Sequence, residues 1–234
     1  MVDGRRGDRR SWLFNDARCA HCHAPAFATE LCAACIDALP WIDPACPGCA
    51  LPLPAGAGGF CAACARRPRP WAAAYCALRY AAPADRWVQR LKYRHDLAAA
   101  RRLGWLLAQG ARHAGMAAPE LVIPMPLHRA RQRERGFNQA DEIARALARE
   151  WRLPVAASAA RQLHPTGDQT GLSAAERRRN MRGAFSADPR RVRDRHVAII
   201  DDVLTTGASC EALCAALHAA GAGRVQVWCC ARTP

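Results

Sequence analysis

Apolar and polar positions alternate with two different periods along the chain. From about residue 71 onward, short apolar runs give way repeatedly to helical spacing. "AAAYCALRYA" (72–81) reads as a strand, and "ADRWVQRLKYR" (84–94) as a helix carrying Trp87 and Leu91 on one side. Residues 97–113 predict a second helix. "ELVIPMPL" (120–127) is a short apolar strand closed by prolines, and "NQADEIARALAREW" (138–151) places Ile143, Leu147 and Trp151 at i, i+4 and i+8. Near the end, "RHVAIIDD" predicts a strand, "GASCEALCAALHAA" a helix, "GAG" its stop and "RVQVWCC" a further strand. A strand, crossover helix and strand of this length form a parallel βαβ unit. The expected fold class is therefore α/β, a parallel sheet with helices on both faces and its ligand site beyond the carboxyl ends of the strands.

The first 70 residues lack this alternation. They carry four Cys-x-x-Cys pairs, Cys19 and Cys22, Cys32 and Cys35, Cys46 and Cys49, Cys61 and Cys64. A two-residue spacer lets one tight turn aim two thiolates at a common point, and two such turns complete a tetrahedral zinc shell. Eight thiolates make two structural zinc sites. Pairing in sequence closes shorter loops than interleaving and is the preferred arrangement. His21 and His23 beside the first knuckle are alternative ligands, made unnecessary by the number of cysteines. The remaining cysteines, Cys76, Cys210, Cys214, Cys229 and Cys230, lack metal spacing and are expected to pack in the core. The proline- and arginine-rich "ARRPRPW" (65–71) marks a boundary near residue 70, giving a Cys-rich part, 1–70, and an α/β part, 71–234.

Composition sharpens this picture. About half the residues are apolar and the net charge is +14, which fits a globular protein and excludes a disordered one. Before residue 71 there are 8 basic and 6 acidic residues (+2), and after it 26 and 14 (+12). The second part is the one that should attract phosphates or nucleic acid. No export signal precedes the cysteines and no apolar run is long enough to span a bilayer, so a cytoplasmic location without membrane insertion is expected.

Within that basic part, "VAIIDDVLTTGAS" (197–209) joins a buried-looking strand to a helix start through two acids. Unpaired backbone N–H groups and the helix dipole favour an anion at Thr205, Thr206, Gly207, Ala208 and Ser209. Asp201 and Asp202 just before them are acceptors suited to vicinal hydroxyls or a hydrated cation. A phosphate beside a diol describes a ribose 5-phosphate.

Every position of this stretch, with Val203 and Leu204 between the acids and the threonines, matches the signature of the type I phosphoribosyltransferases. "PMPLHRARQRERGFNQ" (124–139) and "QTGLSAAERRRNMRGAF" (169–185), together with the Cys-rich start, resemble the competence protein F (ComF) family of double zinc ribbon phosphoribosyltransferase-like proteins, from about Cys19 to Arg232. Family members mostly carry Val where this chain has Met125. The resemblance implies a phosphoribosyltransferase-like domain behind a double zinc ribbon. It implies that Asp201 and Asp202 hold the ribose hydroxyls of phosphoribosyl pyrophosphate (PRPP), with magnesium, and that residues 203–209 hold its 5-phosphate. The guanidinium forks of Arg131 and Arg135, with Gly136 and Asn138 at a turn, suit the pyrophosphate; a solvated basic face or a nucleic-acid patch is the alternative. Gln169, Leu172, Arg177 and Asn180 resemble the family's mobile hood, against the alternative of a plain exposed helix. Lys92, the one lysine among 34 basic residues, stands where the family also places lysine.

Three functions remain open on these grounds: phosphoribosyl transfer to an unidentified acceptor, a non-catalytic helper binding single-stranded DNA during DNA uptake, and a PRPP-sensing regulator.

Overall fold

The computed structural model describes residues 18–26, 30–165 and 183–234. Packing divides the chain between Leu39 and Pro40. The first unit contains one short helix, α1 (Ala33–Asp37), which follows the second Cys-x-x-Cys turn. The second unit begins well before the composition break near residue 70, because the segment from residue 40 hydrogen-bonds to the sheet.

That sheet is fully parallel. Its strands are β1 (Ala73–Arg79), β2 (Leu121–Pro124), β5 (His196–Leu204) and β6 (Arg224–Arg232), in the order β1-β6-β5-β2. The register pairs Asp201 with Cys229, and Cys229 with Cys76. A second, antiparallel pair is β3 (Ala160–Gln162) with β4 (Phe185–Ala187). Between and around them lie α2 (Ala62–Arg66), α3 (Ala84–Arg94), α4 (Leu97–His113), α5 (Arg129–Arg135), α6 (Gln139–Trp151), α7 (Pro189–Val192) and α8 (Ala208–Ala219).

Strand alternation sorts the core into two layers. Val197 and Ile199 of β5 and Val225, Val227 and Cys229 of β6 share a buried cluster with Cys210, Leu213, Cys214 and Leu217 of α8. The intervening residues face α4 and α6: Trp228 stacks edge-on against Trp151 at 5.1 Å, and the Cys230 thiol reaches the Leu103 carbonyl. Helices therefore cover both faces. All five cysteines outside the Cys-x-x-Cys pairs are buried.

Local chemistry explains the long helices. Asp96 caps α4 by accepting from the Ala99 N–H at 3.1 Å, and Asn138 caps α6 by accepting from Ala140 at 3.0 Å. The two helices pack closely because Gly104 has no side chain; a Cβ there would lie 2.5 Å from Ala146 Cβ and 2.7 Å from the Ile143 carbonyl. The outer edge of β1 is covered by the segment starting at Pro40: Ile42 donates to Ala77 and Arg79 to Pro40, while Ala74 donates to Pro47. An exposed parallel edge is thereby closed.

Candidate functional site

Asp201 and Asp202 lie in β5, and the strand continues through Val203 and Leu204 before the chain turns. Adjacent strand residues point to opposite faces, so the two carboxylates diverge: Asp201 toward α8 and Asp202 toward α3. Asp202 is 4% exposed. Its Oδ1 lies 3.0 Å from Lys92 Nζ on α3, while its Oδ2 is buried without a partner. A buried carboxylate oxygen left open beside a satisfied one is an acceptor ready for a further donor. Burial opposes the Lys92 charge, but Asp202 outweighs it and holds the ammonium above its ordinary range. Asp201 Oδ1 accepts from the Asp202 N–H at 2.9 Å. Burial first, then repulsion from Asp202, lifts the Asp201 carboxyl to about 7, with Lys92 acting in the opposite sense.

Beyond Leu204 the chain bends through Thr205 and Thr206 to Gly207, which takes φ +81° and stands at the N-cap of α8. A glycine is favoured here twice over, since a Cβ would also lie 3.2 Å from the Trp71 ring. Thr206 Oγ1 is 3.4 Å from the Ala208 nitrogen, and the first helical bond runs from Glu211 N–H to the Gly207 carbonyl. The N-terminal amides of a 12-residue helix therefore open beside the end of β5.

Three residues that sequence reasoning passed over as linker or strand hold this turn. Arg69 donates to the Thr206 carbonyl at 3.3 Å and pairs with Glu211. Trp71 is buried against Gly207 and donates its indole N–H to the Gly48 carbonyl at 2.7 Å. Arg232 donates to the Leu204 carbonyl at 3.1 Å and to the Cys49 carbonyl at 2.9 Å. The available signal was an Arg-Pro-Trp run immediately before the first strand, which is more specific than a linker requires.

The basic stretch after β2 forms a short helix, α5. Its ends are capped, by His128 accepting from Ala130 and by Gly136 at φ +81°. Arg131 and Arg135 lie on this helix, and Arg135 reaches Gln139 Oε1 at 2.6 Å. Asn138 is occupied structurally: besides capping α6 it donates to the Met125 carbonyl at 3.0 Å. A cleft of about 680 Å³ opens here, lined by His128, Arg129, Gln132, Asn138, Arg161 and Gln162 among others, and neither aspartate reaches it. Gln169, Leu172, Arg177 and Asn180 lie outside the described residues.

The Cys-x-x-Cys pairs associate in sequence. Cys19, Cys22, Cys32 and Cys35 form one group and Cys46, Cys49, Cys61 and Cys64 the other, the four sulfurs of each lying within 4.8 Å of one another. Both groups consist of thiols alone, and each has the four-sulfur composition of a closed zinc shell. Backbone N–H groups serve the sulfurs: Cys61 N lies 3.3 Å from Cys46 Sγ. Burial works against the Cys19 thiolate, yet N–H groups of Cys22, Cys32 and His21 outweigh it and bring this thiol down to about 6.

No family model matches the chain. The DNA utilization protein YhgH of Escherichia coli O157:H7 is 34% identical over 212 residues, covering 87% of this chain and 90% of that protein. Competence protein F of Haemophilus influenzae is 32% identical over 230 residues, covering 94% and 98%. The chain belongs to the competence protein F family. This ComF chain carries both four-cysteine groups and the parallel sheet. Among solved structures, the glutamine PRPP amidotransferase of B. subtilis is 22% identical with a TM-score of 0.38; the match covers 55% of this chain and 25% of that enzyme. Among the described residues, no helix is long and apolar enough to cross a membrane.

Proposed function

We propose that this ComF protein binds PRPP, or a related ribose 5-phosphate, through the turn between β5 and α8. The observation that carries the reading is the sequence Asp201 to Ser209 folded as a strand end, a left-handed Gly207 and a helix N-terminus, with an open, buried Asp202 oxygen beside it. The amides from Thr205 to Ser209 take the 5-phosphate. Asp201 and Asp202 accept from the ribose hydroxyls, and Lys92 pairs with Asp202 Oδ1. The α5 guanidiniums of Arg131 and Arg135, followed by Gly136 and Asn138, take the pyrophosphate. Magnesium bound with PRPP supplies charge neutralisation at the pyrophosphate. In this reading residues 1–70 are the double zinc ribbon and 71–234 the phosphoribosyltransferase-like domain. The site supports either transfer to an acceptor or PRPP sensing, which differ only in turnover.

The names of the relatives, DNA utilization and competence, support an association with DNA uptake, and a cytoplasmic location is part of the same proposal. A second activity, handling of single-stranded DNA, is favoured by the +12 charge after residue 70. Tyr93, 76% exposed between Lys92 and Arg94, offers a stacking surface beside that charge.

A ligand that binds only the folded chain raises its melting temperature, by about 2.7 kcal/mol of stability at a hundredfold excess over Kd. PRPP with magnesium should therefore raise Tm; an unchanged Tm at millimolar PRPP contradicts the reading. For DNA, affinity for an oligonucleotide should fall linearly in log-log salt plots, and absence of binding at low salt removes the second activity.

A further inference from the structure

The second four-cysteine group and the phosphate-binding turn are joined by three separate bridges. In the first, Arg232 joins the Cys49 carbonyl, at a metal-ligand position, to the Leu204 carbonyl that begins the turn. In the second, Trp71 hydrogen-bonds the Gly48 carbonyl inside the knuckle and packs its ring against Gly207. In the third, Arg69 follows the Cys64 knuckle directly along the chain and donates to the Thr206 carbonyl. The carbonyl of Pro70, between the last two, accepts from the Cys214 thiol at 3.2 Å and lies 3.0 Å from His218 Nε2, so the strap is fastened along α8 as well.

Arg69 also acts on charge. Glu211 stands in the first turn of α8, where its carboxylate would repel an incoming phosphate. Arg69 pairs with it, and Arg67 approaches it at 3.8 Å. The guanidinium thus neutralises the one acid of the first turn while fixing a carbonyl of the turn itself.

We propose that the second four-cysteine group is a positioning device for the phosphate turn: metal at Cys46, Cys49, Cys61 and Cys64 fixes residues 204–211 in their ligand-ready geometry through Arg69, Trp71 and Arg232. Arg69, Trp71 and Arg232 are positioning residues that touch the turn and not the ligand. The proposal deepens, and rests on, the reading of this turn as a ribose 5-phosphate site. It assigns the first four-cysteine group no part in the coupling. Loss of metal from the second group frees the Gly48 and Cys49 carbonyls and the Cys64 knuckle from which Arg69 extends, so the turn loosens while α4 and α6 keep their packing.

The test is amide hydrogen exchange of residues 204–213, with α4 (Leu97–His113) as internal reference, on the zinc-loaded full chain. Calorimetric titration with ribose 5-phosphate runs in parallel. Arg69→Met should keep two zinc ions and an unchanged α4, with exchange in 204–211 faster by about tenfold or more and weaker ribose 5-phosphate binding. Cys46→Ser with Cys49→Ser should reproduce this, and Cys22→Ser with Cys35→Ser should not. Unchanged exchange of the turn in Arg69→Met overturns the proposal, as does acceleration spread equally over α4. The exchange readout needs no ligand. Wild-type protein that fails to bind ribose 5-phosphate therefore overturns the phosphate reading alone, while the Arg69→Met exchange still decides the coupling.

Discussion

Asp202 and Lys92 form an ion pair whose acid is 6% exposed at its side chain and whose base is 24% exposed. Breaking such a pair from one side strands the other charge, at about 3–5 kcal/mol for a fully buried pair and less where water reaches the lysine. Lys92→Met is expected to lower Tm by several degrees, and Asp202→Asn added to it should restore part of the loss, which a double-mutant cycle by urea denaturation measures. Asp201 contributes a pH response. Its carboxyl is held at about 7 in the fold, so above the ordinary carboxylate range the unfolded chain releases this proton first. Stability of the unliganded protein therefore falls as pH rises toward about 7, and Asp201→Asn should flatten that slope in urea titrations. Affinity for ribose hydroxyls runs the other way. The carboxylate accepts more strongly than the acid, so ligand affinity should rise as pH passes through about 7.

At the scale of elements, two glycines set the packing that presents the site. Gly104→Ala drives a methyl into Ala146 and the Ile143 backbone across the α4–α6 contact. Overpacking of this kind destabilises by about 1–3 kcal/mol or more, read as a lower denaturation midpoint. Gly207→Ala forces a left-handed backbone at about 1–2 kcal/mol and presses on Trp71, so it should weaken phosphate binding more than it lowers Tm. The main strands and long helices were legible in the sequence because their periodicity is long and their caps are local; Asp96 and Asn138 announce α4 and α6. The helix α5 was not, since its charged residues show no apolar face. The β3–β4 pair escaped notice because three-residue strands carry too little alternation. The acids and the glycine turn were legible as a motif. Arg69, Trp71 and Arg232 were not, because each acts through contacts distant in sequence, and a Pro-rich segment reads as linker unless its Trp and Arg are asked what they bury.

For the whole molecule, the packing boundary between Leu39 and Pro40 means that the two four-cysteine groups differ in consequence. Metal analysis should give two zinc ions per chain. Removing the second group's ligands should lower the melting temperature of the sheet unit, whereas removing the first group's ligands should leave that transition in place, which calorimetry with metal analysis distinguishes. The +12 charge after residue 70 and the phosphate turn belong to the same half of the chain, so DNA and PRPP are expected to compete at low salt. We propose the β5–α8 turn with its two aspartates as a ribose-phosphate site. Its most direct test is calorimetric titration of PRPP with magnesium into wild-type protein and into Asp201→Asn with Asp202→Asn. Loss of hydrogen bonds to two charged groups, about 1.5–3 kcal/mol each, predicts a Kd weaker by two orders of magnitude or more in the variant. Absence of binding to wild type, or equal affinity in both proteins, would contradict that assignment.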